Sequence, residues 1–201
     1  MSYSTQFEEV LRSRSQIIRI LWFALTGSIL IYIVLGYVAP VNSGSEPTEL
    51  DPTFKNLLYI VGFLTAISSQ LIKKFVFSDE RVIARLSNDI KPSDLAINTQ
   101  TNEVNEKELQ KLNELSEKEL KIISLVPYYF TPFIIQMALY DAVTIFGLLL
   151  SFMSHNFVEI LPFAIVSLFL CLTTYNGLNK LIEKGKIILD NPNLYNSKLQ
   201  N

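Results

Sequence analysis

The sequence predicts an all-α membrane protein, a four-span transmembrane helical bundle with a small two-helix cytoplasmic segment between its two hairpins. Its 201 residues are 49 % hydrophobic and only 18 % charged, with a positive mean hydropathy of +0.30, whereas soluble domains carry nearer a quarter charged residues. The apolar residues are gathered into four runs of about 20 residues, the length that crosses a ~30 Å hydrocarbon core. Most basic residues lie in alternate connections between these runs.

The four predicted spans cover residues 17–38, 54–72, 133–153 and 157–175. The first follows a group of arginines and therefore has the charged flank of a signal peptide. Its apolar part is longer than the roughly 7 to 15 residues of such a signal, and no good cleavage site follows. We therefore expect an uncleaved first transmembrane helix.

The start of the third span depends on two prolines. The chain is apolar from residue 122 to residue 153, roughly 32 residues, which is too long for one untilted crossing. Pro127 and Pro132 each remove a backbone donor and disfavour helix in the residue before them. We therefore expect residues 122–132 to approach the span along the membrane interface, and the span itself to begin near Phe133.

The basic residues predict the orientation. The N-terminal flank, residues 73–121 and the tail are rich in Lys or Arg, whereas the connections 39–53 and 154–156 contain neither. The positive-inside rule then places both termini and the middle segment in the cytoplasm. The predicted divisions are a first hairpin (1–76), a cytoplasmic amphipathic segment (77–126), a second hairpin (127–182) and a cytoplasmic tail (183–201).

The middle segment contains two stretches with helical spacing of apolar residues. In "DERVIARLSNDI" these are Val82, Ile83 and Leu86, and "KPSD" ends the pattern. In "NEKELQKLNELSEKELKII" the leucines continue a second pattern. We expect two amphipathic helices, either as a small cap or along the headgroups; the alternative is a mostly solvated linker.

An aspartate lies near the middle of the third span, in "FIIQMALYDAVTIFGLLLSFMSH". A charged aspartate at that depth costs about 2.5 to 3.5 kcal/mol. Gln136, Tyr140 and Thr144 adjoin Asp141 on a helix, so this side should face protein or water. No Lys or Arg lies at the same depth, and we expect a protonated Asp141 that is hydrogen-bonded to a hydroxyl. The nearest hydroxyls belong to Thr26, Ser28, Thr65, Ser68, Ser69 and Ser167.

Three roles for Asp141 stay open: a hydrogen bond that fixes helix register, proton or ion handling, and contact with a partner subunit. For the second role the candidate residues are Asp141, Thr144, Gln136 and Tyr140. Residues 138–152, "ALYDAVTIFGLLLSF", resemble the carboxylate-bearing helix of the proteolipid (c-ring) subunits of rotary ATPases. The resemblance implies that Asp141 binds a proton or an ion and that Gly147 allows close helix approach. The glycine-rich partner helix of that family is missing from this chain.

Small residues at four-residue spacing predict tight helix packing. The candidates are Gly62, Ala66 and Ser69 in the second span, and Gly147 in the third.

Several function classes are excluded or lack any signal. The single cysteine, Cys171, and the single histidine, His155, exclude an internal disulfide, a thiolate metal cluster and a histidine-based metal site. The net charge of −2 gives no basic field for nucleic acid, and no cofactor or enzyme motif occurs.

The sequence therefore favours a structural or accessory subunit in the cell's inner (plasma) membrane. Its expected partners are the lipid bilayer and either a second copy of itself or another membrane protein. The alternative is an oligomeric proton or cation translocator that uses Asp141.

Overall fold

The computed structural model describes residues 3–43, 46–97 and 103–191 of the chain. Within these ranges the regular structure is helical, apart from one isolated antiparallel bridge between Ile97 and Val104. The helices are α1 (Thr5–Ser43), α2 (Pro52–Val76), α3 (Asp79–Ser87), α4 (Pro92–Ala96), α5 (Glu106–Asn113), α6 (Glu117–Ile123), α7 (Leu125–Ser154), a 3-10 turn (Phe157–Ile160), α8 (Leu161–Thr174) and α9 (Gly177–Asp190).

The residues group into two compact units. Unit 1 combines Met1–Ile18, Val76–Thr131 and Asn176–Asn201, and unit 2 combines Arg19–Phe75 and Pro132–Tyr175. The predicted divisions fall partly on residues 44–45, 98–102 and 192–201, which lie outside the described residues.

Unit 1 is built around apolar faces that its helices supply from distant parts of the sequence. α9 buries Leu178, Leu181 and Ile182, a spacing typical of one helix face. The beginning of α1 contributes Phe7, which is completely buried. Arg14 of α1 bonds Glu108 Oε1 and the carbonyl oxygen of Leu95, both at 2.7 Å from Nη2. Phe7 and Arg14 therefore attach the beginning of α1 to this unit.

Among its described residues, the segment predicted to hold two amphipathic helices holds four short ones, α3 to α6. The second predicted helix is divided because Ser116 begins a new helix with a capping box. Its hydroxyl accepts from the Glu119 amide, and the Ser116 amide donates to Glu119 Oε2 at 2.9 Å. Glu119 also accepts from the Ser4 amide at 2.7 Å. These bonds stabilise a helix start that leucine spacing alone does not reveal.

The predicted interruption at the two prolines is wrong, because α7 is one helix from Leu125 to Ser154 with Pro132 inside it. Pro127 falls in the first turn, where the amide has no helical partner. Pro132 leaves the Tyr128 carbonyl without its helical donor. An unbroken stripe of buried side chains at four-residue spacing, Tyr129, Phe133 and Met137, offsets that loss.

The prediction of a helical chain with four membrane-length apolar stretches is confirmed within the described residues. The stretches Thr5–Ala39, Pro52–Val76, Glu117–Ser154 and Phe157–Asp190 are long and apolar enough to cross a membrane, and each contains one predicted span. The most apolar part of the third is 44 % buried, against 17 %, 22 % and 33 % for the others. The third stretch is therefore the most buried of the four.

Candidate functional site

A stripe of buried polar side chains follows one side of α7. Gln136, Tyr140, Thr144 and Ser151 are separated by four, four and seven residues, which places them on the same helix face. Each is at most 1 % exposed. The stripe contains three of the four predicted proton- or ion-binding candidates, all but Asp141.

Tyr140 joins α7 to two neighbouring helices. Its hydroxyl lies 3.2 Å from Thr174 Oγ1 on α8 and accepts from Gln70 Nε2 on α2 at 3.3 Å. Its carbonyl oxygen accepts from the Ser167 hydroxyl on α8 at 2.9 Å and from the Thr144 hydroxyl, one turn along α7, at 3.3 Å. Tyr140 is therefore a hydrogen-bonding centre, and Thr144 is satisfied by its own helix.

Ser151 joins α7 to α1 near the other end of the stripe. Its hydroxyl donates to the carbonyl oxygen of Gly36 at 2.9 Å. α7 is thus hydrogen-bonded to α1, α2 and α8.

Asp141 lies beside the stripe and makes a different kind of contact. Its carboxyl oxygen Oδ1 is 2.8 Å from the hydroxyl oxygen of Ser28 on α1, one of the six predicted hydroxyl partners. Its side chain is only partly buried. The same Ser28 hydroxyl is 2.6 Å from the carbonyl oxygen of Leu25. A hydroxyl has one proton, so these two acceptors share a single donor.

Gln136 is the exception in the stripe. It is 1 % exposed, and its Nε2 has no hydrogen-bond partner among the described residues. Buried polar groups are normally satisfied by protein or by ordered water.

Three of the four predicted packing residues lie close to Phe163 of α8, and the fourth, Ser69, lies one turn from Ala66 on α2. A Cβ added at Gly62 would lie 2.6 Å from Phe163 Cε1, and one added at Gly147 would lie 2.8 Å from Phe163 Cβ. Ala66 belongs to the same apolar cluster as Phe163. Ser69 is buried and donates to the Ala66 carbonyl oxygen at 2.6 Å. Small residues on α2 and α7 thus make room for Phe163 of α8.

No protein-family model, curated protein or solved structure matches this chain. The resemblance of residues 138–152 to the rotary-ATPase helix therefore stays a prediction. Function has to be argued from the site itself.

The structure pairs several residues that are not among the predicted site candidates. Gln70 and Thr174 bond Tyr140, and Ser151 bonds α1. Ser151 could have been found, because it lies seven residues after Thr144 on the same face. Glu159 bonds Lys55 Nζ at 2.6 Å, and nothing in the local sequence indicates that pair.

Proposed function

We propose that the protein is a structural or accessory subunit of a membrane assembly. In this proposal it crosses the cell's inner (plasma) membrane four times, with both termini in the cytoplasm. The four apolar helices and the alternation of basic and non-basic connections support that placement.

The observation that carries the proposal is the use of the buried polar groups. The side chains that could have formed a pathway along α7 bond neighbouring helices instead: Ser151 to α1, and Tyr140 to α2 and α8. Interhelical hydrogen bonds of this kind contribute about 0.6 kcal/mol each on average in a membrane. Several together fix the register of four helices. The interior of unit 2 is therefore organised for a fixed arrangement.

The outer faces of the helices support a role in an assembly. Phe63 is 67 % exposed on α2, and Phe169 is 66 % exposed on α8. In a bilayer these faces meet lipid or the helices of other proteins. A rigid body with large apolar faces is suited to packing within a larger membrane complex.

Co-purification tests this proposal. The chain, tagged and expressed at its native level, is extracted from its own membranes in a mild detergent. We expect a second membrane protein to elute with it in a fixed ratio. The control is the same extract after a denaturing detergent, in which the two should separate. A chain that elutes alone in the mild detergent contradicts the proposal.

A second candidate function is an oligomeric proton or cation translocator that uses Asp141. The contact with Ser28 favours it, because a carboxyl group bonded to a single hydroxyl at the edge of the stripe can exchange its proton. Purified chain in proteoliposomes would then move protons down a pH gradient, and Asp141→Asn would abolish the movement. We expect no flux above that of empty liposomes from the wild type, as for a structural subunit.

A further inference from the structure

Asp141 is not fully enclosed by its own chain. Its side chain is partly buried, and the residues one turn before and after it on the same side of α7, Ala138 and Ile145, are exposed. Ser28 is the one hydrogen-bond partner of its carboxyl group among the described residues. A carboxyl group has two oxygens and accepts several hydrogen bonds. Part of its bonding capacity is therefore open toward the outside of the helices.

Small residues lie beside Ser28 on α1, between the larger exposed side chains of Phe23 and Ile31. Ala24, one turn before Ser28, is exposed. A Cβ added at Gly27 would meet no atom within 4 Å, so packing within this chain does not require glycine there. Small residues on an outer face let another helix approach closely in a membrane. We call the patch formed by these residues the Asp141 surface: Ala24, Gly27, Ser28, Ala138, Asp141 and Ile145.

Lipid is a poor cover for this surface. Ionisable groups within membrane spans face the protein interior or water, and they pair with one another or with backbone carbonyls. Lipid headgroups lie at the ends of a span, whereas Asp141 lies near the middle of the third predicted span. A polypeptide is the cover that also uses the small residues beside Asp141, because these let another helix approach closely.

Charge complementarity indicates which polypeptide. Within the predicted spans the basic residues are Arg19 and Lys55, both near span ends, and Lys55 is paired with Glu159. A second copy of this chain would bring another Asp141 and no cation at that depth. The missing complement, a lysine or arginine near mid-membrane, has to come from a different protein.

We infer that the Asp141 surface docks a transmembrane helix of another membrane protein, with a lysine or arginine of that helix against Asp141. The inference rests on the proposed accessory function and specifies its partner. In the bound state Asp141 is a carboxylate paired with this cation, and the proton that the carboxyl group carries while the surface is bare passes to water as the helices assemble. The partner's basic residue is neutralised by the same contact, which lets it remain at that depth. Ser28 holds the carboxyl group toward the approaching helix.

Site-specific photo-crosslinking in native membranes tests the inference. A photoactivatable amino acid at Ala138 reports on the Asp141 surface, and one at Phe63 reports on a distant exposed face of α2. We expect the Ala138 probe to capture a transmembrane peptide that contains a lysine or arginine, identified by mass spectrometry. Asp141→Asn should reduce that product about tenfold, the effect of losing one favourable contact. Asp141→Lys should abolish it, and exchange of the partner's basic residue for aspartate should restore it.

Three results would overturn the inference: a captured peptide without a basic residue, a peptide from this same chain, or lipid adducts alone at Ala138. Protein capture at Phe63 together with lipid adducts at Ala138 rejects the Asp141 surface but keeps the proposed function. Lipid adducts at both positions, with a chain that purifies alone, reject both. The Asp141→Asn variant differs little in shape from the wild type, so a loss of capture is not a loss of fold.

Discussion

The hydroxyl oxygen of Ser28 lies between two acceptors, 2.8 Å from Oδ1 of Asp141 and 2.6 Å from the carbonyl oxygen of Leu25. If the hydroxyl proton points at Leu25, the contact with Asp141 needs a proton from the carboxyl group. If it points at Asp141, Ser28 is the one donor to the carboxyl group among the described residues. Ser28 is placed to donate in both contacts, so the two acceptors share its one proton unless Asp141 is protonated, as the sequence predicts, and donates to Ser28 instead.

The first prediction concerns that proton. We expect infrared spectra of the purified chain at pH 7 to show the C=O stretch of a protonated carboxyl group, absent from the Asp141→Asn variant. Ser28→Ala should shift this band, because the carboxyl group loses its partner. A difference spectrum that contains only carboxylate bands at pH 7 would contradict a neutral Asp141.

The second prediction concerns Tyr140. Tyr140→Phe removes one hydroxyl and leaves Gln70 and Thr174 without that partner inside unit 2. We expect a loss of about 1 to 2 kcal/mol in the free energy of unfolding in a mixed-detergent titration. Tyr37→Phe is the control, because Tyr37 is 55 % exposed and its change should be near zero. Equal effects of the two substitutions would mean that the Tyr140 bonds do not hold the helices together.

The third prediction compares glycines. Gly147→Ala brings a Cβ to 2.8 Å from Phe163 Cβ, an atom close to the backbone, so α7 and α8 must move apart. We expect a cost of about 1 to 3 kcal/mol. Gly62→Ala meets the far end of the Phe163 ring, which can shift, and should cost less.

Gly27→Ala is the matched control for these glycines, since a Cβ there meets no atom within 4 Å. The substitution should leave the free energy of unfolding unchanged or raise it, because alanine favours helix over glycine. A loss of stability at Gly27 as large as at Gly147 would show that the contact between Gly147 and Phe163 does not determine the free energy of unfolding.

The fourth prediction concerns Glu119 in α6, which lies outside the four predicted spans. Burial raises the pKa of this carboxyl group, but hydrogen bonds from the Ser4 and Ser116 amides and from serine hydroxyls outweigh burial and lower it to about 2, from 4.5. A lowered pKa in the folded state stabilises unit 1 above pH 4.5. That stabilisation, at most about 3 kcal/mol, should be lost as the pH falls from 4.5 toward 2.

Hydrogen exchange of the α6 amide groups at several pH values measures this loss. In Glu119→Gln the protection should no longer change with pH through that window, after correction for intrinsic exchange rates. Unchanged protection of the wild type between pH 5 and pH 3 would show that Glu119 does not hold the start of α6.

The fifth prediction concerns orientation. In a Cys171→Ala background, a cysteine at Glu49 should react with a membrane-impermeant maleimide added to intact cells, because residues 39–53 are predicted to lie outside. A cysteine at Lys107 should react only after the membrane is permeabilised. Labelling of both positions in intact cells would contradict the predicted four-span topology.

The span positions could be predicted because hydropathy depends only on local composition. The course of α7 through Pro132 could not, since it depends on a buried stripe whose partners lie elsewhere in the chain. In α9, the spacing of Leu178, Leu181 and Ile182 is typical of an apolar helix face, which packs against another element. The spacing does not reveal which helices this face contacts, so the position of α9 in unit 1 could not be predicted.

The candidate site could also be predicted only in part. The helical period puts Gln136, Tyr140 and Thr144 on one face, and the lack of a nearby cation indicates a hydroxyl partner for Asp141. The choice of Ser28 among six hydroxyls depends on which helices are neighbours and on their register. Neither is encoded within a single span.

The central claim, that the chain serves within a membrane assembly, is tested most directly by native mass spectrometry of complexes ejected from its own membrane vesicles. The account predicts that the 22.9 kDa chain is found in a heavier complex with a different membrane protein. It also predicts that Asp141→Lys releases the chain from that complex. A chain observed only at its own mass, with or without bound lipid, would contradict the account.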